Sequence, residues 1–381
     1  MVQVSYTYGI RDQRAASDVT AGSYVLCMRL FNLTREGASD LMPSTYHQTD
    51  LGRIVLGDAV DVLKNEIPDG SVNLIVTSPP FALLREKDYG NAHQDHYLDW
   101  FRPFGELFLR ALRDDGSLVI DIGGSWKPGQ PTRSLYHFKL LVMLVEEIGF
   151  HLAQEFYWWN PAKLPTPAEW VNVRRIRVKD AVNCVWWLSK SPWPRADNRR
   201  VLQPYSQAMH DLLRNGYQPK KRPSGHDISA NFSTNNGGAI PPNLLAIPNT
   251  ESNGQYQRYC KENGIRPHPA RFPTELPEYF IRFLTDRGDM VVDPFAGSCV
   301  TGEVAERLGR RWVCADLEEE YLAGAMGRFV EGSETSSPRG VADTYSIARP
   351  GSLWRGNTAG RLRRDGGRKR PDQPPKGVTT S

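Results

Sequence analysis

The sequence has few cysteines and no long hydrophobic run. Only five of its 381 residues are cysteine, and no C-x-x-C pair occurs among them. An odd number of scattered cysteines argues against structural disulfides and zinc sites and favours a reducing compartment. No apolar segment approaches the length of a membrane-spanning helix, and no signal-peptide pattern is evident at the N-terminus. We therefore expect a soluble cytoplasmic protein without a metal site and without a membrane contact.

Signals for phosphate binding and for strong charge are also missing. The sequence has no G-x-x-x-x-G-K-[ST] loop, so we expect no nucleoside triphosphate site. With 40% hydrophobic and 24% charged residues, the chain can form an α/β core and a second, smaller region. Its formal charge of +4 permits nucleic-acid binding without requiring it.

One stretch joins a buried strand to a rigid turn. Residues 72–77 are mostly apolar, as is typical of a buried parallel strand, and the chain continues as Ser78-Pro79-Pro80-Phe81. Prolines cannot continue a β-ladder, and the carboxyl ends of parallel strands are where α/β proteins bind ligands. The sequence thus predicts a hydroxyl, free carbonyls and an aromatic ring at the mouth of a cleft. The alternative is that the prolines only end the strand and Phe81 packs in the core.

A second stretch predicts a site for a nucleoside-containing cofactor. A strand over residues 290–293 ends at Asp293, and a glycine-bearing turn and a helix follow it. Glycines in such a turn allow a ligand to approach the backbone. The next strand ends at Asp316, where a carboxylate is well placed to bind a pair of ribose hydroxyls.

Together, the two stretches resemble a known family. Residues 77–81 are similar to the catalytic motif of amino-methylating DNA methyltransferases, in the serine form typical of N4-cytosine enzymes. Residues 293–302 resemble the S-adenosylmethionine loop of that family, and the resemblance extends from about residue 50 to residue 329. The catalytic motif comes first, which is the permuted order of the β group, and the pattern is most similar to the PvuII-type type II modification methylases.

The resemblance implies an α/β S-adenosylmethionine-dependent methyltransferase fold. We expect a doubly wound, seven-stranded, mostly parallel sheet with an irregular target-recognition region. In chain order, the expected segments are a poorly ordered extension (1–49), a catalytic part (50–190), the target-recognition region (191–266), a cofactor-binding part (267–330) and a disordered basic tail (331–381). Loops as long as the third segment are usually functional, although a long irregular insertion is the alternative.

The resemblance also implies which residues bind the cofactor. These lie at strand ends and in the loop before the helix at 277–284: Asp58, Arg271, Phe272, Asp293, Pro294, Phe295, Gly297, Ser298 and Asp316. Asp58 has a plainer alternative as a turn residue or a helix cap. The strand at 117–120 ends at Asp121, on the same sheet edge as Ser78. We therefore expect Asp121 to orient Ser78 or to accept its proton.

The resemblance implies direct methyl transfer to an exocyclic amine. The Ser78 hydroxyl and the Pro79 carbonyl, in the rigid Pro79-Pro80 turn, are expected to bind the cytosine amino group. Phe81 is expected to stack on the flipped base. A C5-cytosine mechanism needs a nucleophilic cysteine, usually after a proline, and no Pro-Cys pair occurs.

Basic residues outside the motifs are candidates for DNA contact: Arg174, Arg175, Arg177, Lys220, Lys221, Arg222 and His226. The first three lie between two aromatic strands, and the others lie in the 191–266 region. Arginine and lysine contact phosphates, and arginine and histidine also read base edges. The alternative is that these residues only form solvated faces.

The expected function is site-specific N4-cytosine methylation of double-stranded DNA from S-adenosylmethionine. This would be the protective half of a bacterial or archaeal restriction–modification system. One alternative is an N6-adenine methyltransferase on the same scaffold, although such enzymes usually carry Asn or Asp where Ser78 stands. Another is a DNA-binding module that has lost catalysis. We expect a monomer that needs no stable protein partner, and if the resemblance extends to specificity, its site is CAGCTG.

Overall fold

One mixed β-sheet organises the residues that the computed structural model describes, which are 42–82, 92–216, 234–250 and 254–330. Nine strands form it within these ranges. The strands are Ser44–Gln48 (β1), Gly52–Leu56 (β2), Val72–Thr77 (β3), Leu112–Ile122 (β4), His151–Trp159 (β5), Val182–Ser189 (β6), Leu244–Ala246 (β7), Met290–Asp293 (β8) and Arg311–Asp316 (β9).

Helices connect most of these strands. The α-helices are Ala59–Glu66 (α1), Tyr97–Ala111 (α2), Tyr136–Val142 (α3), Gln207–Asn215 (α4), Gln255–Glu262 (α5), Glu275–Leu284 (α6), Val300–Arg307 (α7) and Glu319–Ala325 (α8). A π-helical turn, Met143–Ile148, continues α3, and a second one spans Glu169–Val173. In the ranges that the structure describes, no helix is both long and apolar enough to cross a membrane.

The strand order is β1-β2-β9-β8-β3-β4-β6-β5-β7. Strands β2, β9, β8, β3 and β4 are parallel neighbours, so their carboxyl ends meet at one edge of the sheet. Strand β6 is antiparallel to β4, and β5 is antiparallel to β6, so the connection from β5 to β6 reaches this same edge. The site described below lies there.

The predicted seven-stranded core is present, with one further strand at each edge of the sheet. Strand β1 lies within the extension that we expected to be poorly ordered, so the predicted boundary at residue 49 is wrong. Its sequence is polar and half-exposed, and it pairs only with β2, which explains why hydrophobic periodicity did not predict it. Strand β7 pairs with β5 and helix α5 buries Tyr256 and Cys260, so part of the predicted recognition region belongs to the folded core. Residues 1–41 and 331–381 lie outside the described residues.

Side-chain alternation along the strands builds two helix layers. Leu74 and Val76 pack in a core with α6, α7 and α8, whereas Ile75 packs in a core with α1, α2 and α3. Val119 of β4 belongs to the first core. Because residues two apart share a face, Asp121 lies on the face of Val119, and Ser78 continues the face of Val76.

Candidate active site

A cavity of about 1060 Å³ opens at the carboxyl ends of the parallel strands. Its walls include residues 78–81 after β3, residues 294–298 after β8 and residues 316–318 at the end of β9. Helix α2 and residues 268 and 270–272, which precede α6, close the other sides. The predicted catalytic turn and the predicted cofactor loop therefore face one common space.

Ser78 and Asp121 are in contact at this edge, as predicted. The Ser78 hydroxyl lies 3.1 Å from Oδ2 of Asp121, within hydrogen-bond distance. The Asp121 side chain lies behind Ser78, and the residue is only 5% exposed. Burial raises the pKa of this carboxyl to about 6, although hydrogen bonds from Asn183 and Ser78 partly oppose the rise. An ionised Asp121 accepts the serine proton and so directs it away from the cavity.

The Pro79-Pro80 turn is held by a hydrogen bond from helix α2 and is followed by a packed aromatic ring. The buried hydroxyl of Tyr97 donates a hydrogen bond of 2.9 Å to the carbonyl of Pro80. The Phe81 ring packs on the backbone of Gly123, where a Cβ atom would lie only 2.6 Å from the ring. Glycine at position 123 therefore allows Phe81 to lie in the cavity wall, so Phe81 both packs and remains available to a ligand.

The loop after β8 brings its backbone to the cavity. Gly297 has φ of +50°, and its N–H donates a 2.7 Å hydrogen bond to Oδ2 of Asp316. The other oxygen of Asp316 accepts a 3.0 Å bond from the N–H of Glu318. Burial raises the pKa of Asp316, and these backbone hydrogen bonds partly oppose that rise. The carboxylate is thus fixed in orientation at the cavity wall.

Asp293 lies beneath the cavity rather than in its wall. One of its oxygens accepts hydrogen bonds from the Thr77 hydroxyl (2.6 Å) and the Phe295 N–H (3.2 Å), and the other accepts from the Thr301 hydroxyl (2.6 Å). The residue is 1% exposed, and burial raises its pKa to about 6. Asp293 thereby joins β3, the loop after β8 and α7 to one another, and it does not line the cavity where we expected it to bind the cofactor.

The segment before α6 covers the cofactor loop. The Arg271 guanidinium donates a 2.6 Å hydrogen bond to the carbonyl of His268 and lies 5.3 Å from the Tyr256 ring centroid. Arg328 lies 4.9 Å from the centroid of the same ring and donates a 2.7 Å bond to the carbonyl of Ser298. Tyr256 thus links the covering segment to the loop. Arg271 and Phe272, which we expect to bind the cofactor, both lie in the cavity wall.

His268 is a cavity residue that the sequence did not predict. A Cβ atom at Gly297 would lie 3.1 Å from its imidazole, a tight approach, so glycine favours the close packing of the ring on the loop. Burial lowers the pKa of His268 to about 4, so the ring is neutral at physiological pH. Its Nδ1 accepts a 3.3 Å hydrogen bond from the N–H of Ala270, which places the proton on Nε2. Neither Tyr256 nor His268 belongs to a spacing pattern that could have identified it.

Asp58 is a helix cap, as the plainer alternative predicted, and its position also keeps the predicted cofactor contact open. It is the N-cap of α1, where its side chain accepts a 2.8 Å hydrogen bond from the N–H of Val60, and it also lies in the cavity wall. Pro294 and Ser298 are wall residues as well. Cys299, in contrast, is fully buried and has φ of +54°, a left-handed conformation that glycine adopts more easily.

The three arginines at positions 174, 175 and 177 differ in whether they have partners within the described residues. Arg174 pairs with Glu169 at 2.7 Å, and Arg177 donates a 2.9 Å hydrogen bond to a backbone carbonyl while lying 4.6 Å from the Trp126 ring centroid. Arg175 is exposed with φ of +54°, and it has no hydrogen-bond or ion-pair partner among the described residues. None of the three lies in the cavity wall. The other DNA-contact candidates, Lys220, Lys221, Arg222 and His226, lie outside the described residues.

Comparisons with known proteins agree with this geometry. Residues 72–327 match the family model described as DNA methylase, for N6 and N4 methyltransferases. The chain belongs to this DNA methylase family.

Individual members of the family are also similar to this chain. The methylase is 49% identical to the type II methyltransferase M.PvuII of Proteus hauseri over 325 residues, which cover 84% of this chain and 96% of M.PvuII. It is 26% identical to M.BglII of Bacillus subtilis, covering 74% of this chain and 69% of that protein. The solved structure of PvuII DNA methyltransferase (cytosine-N4-specific) matches with a TM-score of 0.62 and 45% identity, over 76% of this chain and 89% of that one. The predicted family and fold are confirmed.

Proposed function

We propose that this methylase transfers the methyl group of S-adenosylmethionine to the N4 amino group of a flipped cytosine in double-stranded DNA. The observation that carries the proposal is the Ser78–Asp121 hydrogen bond at one wall of the cavity. The other wall is the loop after β8, in which the Gly297 N–H donates a hydrogen bond to Asp316. A relative at 45% identity is named as cytosine-N4-specific. The N6-adenine alternative has less support, because Ser78 stands where those enzymes usually carry Asn or Asp.

The cavity walls fit S-adenosylmethionine. Gly297 has a left-handed backbone conformation, and a Cβ there would lie 3.1 Å from the His268 ring, so glycine lets the loop and the covering segment approach each other closely at the cavity wall. The carboxylate of Asp316, fixed by two backbone amides, retains acceptor capacity for a ribose hydroxyl pair. Asp58 is suited to the adenine amino group, and Phe295 and Phe272 provide apolar wall. When bound, this cofactor supplies an electrophilic methyl group whose bond to sulfur breaks as the bond to N4 forms.

The chain's own residues prepare the amine. Because Asp121 accepts the hydroxyl proton of Ser78, lone pairs of the serine oxygen remain to accept an N–H of the cytosine amino group. The Pro79 carbonyl is the second acceptor. Two acceptors draw the nitrogen from planar towards pyramidal geometry, which frees the lone pair that conjugation otherwise withholds. Methyl transfer leaves a surplus proton on N4, and Ser78 can pass it to Asp121, whose pKa of about 6 suits an acceptor near neutral pH.

Within the basic run, we assign the phosphate contact to Arg175. Arg174 and Arg177 already have partners inside the protein, and these partners order the connection between β5 and β6. Arg175 lies between them, exposed and in a left-handed backbone conformation that costs about 1 kcal/mol for a residue other than glycine. Non-glycine residues with such backbone strain occur often at functional sites.

Other aspects of the proposal rest on the likeness to M.PvuII over 96% of its length. We propose that the protein acts as a monomer in the cytoplasm of a bacterium or archaeon. There it protects host DNA from a cognate endonuclease, with CAGCTG as its recognition sequence. Light scattering of the purified protein, alone and on a duplex containing this site, tests the monomer; a dimer mass would contradict it.

Methyl transfer from labelled cofactor to short duplexes tests the function. We expect incorporation into a CAGCTG duplex and loss of it when the acceptor cytosine is replaced by thymine, which lacks an amino group. Incorporation into duplexes without CAGCTG would contradict the proposed site but not the chemistry. Tight cofactor binding without transfer to any duplex or plasmid would indicate a binding protein that has lost catalysis.

A further inference from the structure

Asn183 contacts the catalytic pair from the neighbouring strand. Its side-chain amide donates a 3.0 Å hydrogen bond to Oδ1 of Asp121, while Oδ2 lies 3.1 Å from the Ser78 hydroxyl. The alternation in β6 explains the position, since Val185, two residues on, packs in the same core as Val119. The three side chains thus form a row across β3, β4 and β6 on one face of the sheet.

We propose that Asn183 is a positioning residue for methyl transfer, and that its amide holds the Asp121 carboxylate in the orientation that keeps the proton of Ser78 away from the cavity. This inference rests on the function proposed above. An ionised carboxylate only accepts hydrogen bonds, so the NH₂ end of the amide must face Asp121. The carboxylate then has one oxygen fixed by Asn183, which leaves the other directed at Ser78.

The same amide lies near Gly123, the residue on which Phe81 packs. Oδ1 of Asn183 lies 3.4 Å from the position that a Cβ atom on Gly123 would occupy. Asn183 is therefore a neighbour both of the proton acceptor of Ser78 and of the glycine beside the Phe81 ring. Asn183 lies outside the cavity wall, so it acts through these neighbours and not on the ligand.

Asn183 also favours the ionised form of Asp121. A hydrogen bond to the charged form of an acid lowers its pKa. Among the groups that oppose the effect of burial on this carboxyl, Asn183 comes first, followed by Ser78 and the charge of Lys163. The remaining titratable neighbours are Tyr136 of α3 and Cys184 of β6, and burial raises the pKa of both, so they are neutral at physiological pH.

Among the residues that the structure describes, Arg133 is a further charge near this cluster, and it acts on Tyr136 and Cys184. Its guanidinium forms an ion pair with Asp180 at 2.5 Å. Removing the Asn183 amide should therefore raise the pKa of Asp121 without a compensating change elsewhere. A larger fraction of the enzyme would then carry a protonated Asp121, which cannot accept the serine proton.

The test compares pH profiles of kcat for the wild type, Asn183→Leu and Asn183→Asp on a plasmid substrate. Activity needs ionised Asp121, so kcat falls on the acid side of its pKa. For Asn183→Leu we expect kcat at neutral pH to fall about tenfold and the acid limb to move up by about one pH unit, the size of a lost hydrogen bond to a charged group. In Asn183→Asp the two adjacent carboxyls titrate as a pair that shares a proton, so we expect the acid side of its kcat profile to depart from the single-group shape of the wild type.

A matched control distinguishes positioning from general damage. Asn243→Leu removes a comparable 2.8 Å hydrogen bond, from its side-chain amide to the carbonyl of Glu155, elsewhere in the same sheet. We expect its pH profile to match that of the wild type, and we expect the cofactor Kd of both Asn183 variants to stay within about threefold of the wild type. If Asn183→Leu does not fold, Asn183→Asp, which has the same shape, decides the question.

Profiles of both Asn183 variants that superimpose on the wild type would overturn the inference, as would a loss of cofactor binding that accounts for the whole loss of activity. These outcomes require an active wild type that produces N4-methylcytosine. A wild type that produces none contradicts the proposed function instead, so the two failures are distinguishable.

Discussion

Substitution of Asp293 tests whether this carboxylate supports the site or contacts the cofactor. In the structure, Thr77, Phe295 and Thr301 donate to it, and burial raises its pKa to about 6 from the ordinary value of 3.8. A raised carboxyl pKa means that the folded state binds the proton more tightly than the unfolded state. The contribution to stability is therefore present below pH 3.8 and is lost as the pH rises through about 6.

The expected magnitude follows from the shift. A folded-state pKa of about 6 against 3.8 implies that ionisation of Asp293 lowers the free energy of unfolding by about 2 kcal/mol between about pH 4.5 and pH 7.5. Asp293→Asn does not titrate, and its amide oxygen can still accept from the Phe295 N–H. The difference in stability between this variant and the wild type should therefore move by about 2 kcal/mol in favour of the variant over that pH range. The contribution of Asp121 is the same in both proteins and cancels.

Two assays test this reasoning. Urea denaturation across the pH range gives the free energy of unfolding, and calorimetric titration gives the cofactor Kd. We expect the Kd of Asp293→Asn for S-adenosylmethionine to stay within about threefold of the wild-type value, because the asparagine oxygen still accepts the hydrogen bond from the Phe295 N–H. Asp293→Ala, the matched variant without an acceptor, should lower stability by about 1–3 kcal/mol for each donor left buried and unpaired. A pH-independent stability difference together with a cofactor affinity that falls more than about tenfold in Asp293→Asn would refute the supporting role.

Three further substitutions test separate parts of the site. Gly297→Ala should raise the cofactor Kd about tenfold in calorimetric titration, because φ is +50° and the added Cβ would meet His268. An unchanged cofactor affinity would contradict the proposal that the cofactor lies against the backbone at Gly297. Arg175→Ala should weaken DNA binding and reduce, by about one, the slope of the logarithm of the DNA-binding constant against the logarithm of the salt concentration. Arg177→Ala, the matched control, should mainly lower the melting temperature of the protein. Equal slopes for the wild type and Arg175→Ala would contradict the phosphate contact. Tyr256→Leu should raise the cofactor Kd more than Tyr256→Phe, because only phenylalanine keeps a ring in contact with the guanidinium groups of Arg271 and Arg328. Equal effects of the two substitutions would show that the ring does not link the covering segment to the loop.

The strand ends could be predicted because they depend on local sequence. The apolar runs that end at Thr77, Asp293 and Asp316 are each followed by prolines or a polar turn, so both their positions and their common sheet edge follow from pattern and topology. The contact between Ser78 and Asp121 was predictable for the same reason. Alternation along β6 could also have identified Asn183, once β6 was paired with β4.

The remaining features depend on contacts distant in sequence. Whether a strand-end carboxylate points into a cavity or beneath it, as Asp293 does, depends on Thr301 and other donors that no spacing reveals. Tyr256 reaches the cofactor loop through Arg328, which is far from it in sequence. Strand β1 is polar and relies on pairing with β2, so tertiary pairing decided a structure that local propensity did not.

Nucleoside mass spectrometry of unmethylated plasmid DNA, incubated with the purified protein and S-adenosylmethionine, tests the central claim most directly. We predict N4-methylcytosine with the wild type and none with Ser78→Ala, which should still bind the cofactor because Ser78 belongs to the catalytic turn and not to the cofactor loop. N6-methyladenine in place of N4-methylcytosine would contradict the role assigned to Ser78, and so would undiminished N4-methylcytosine in the Ser78→Ala variant.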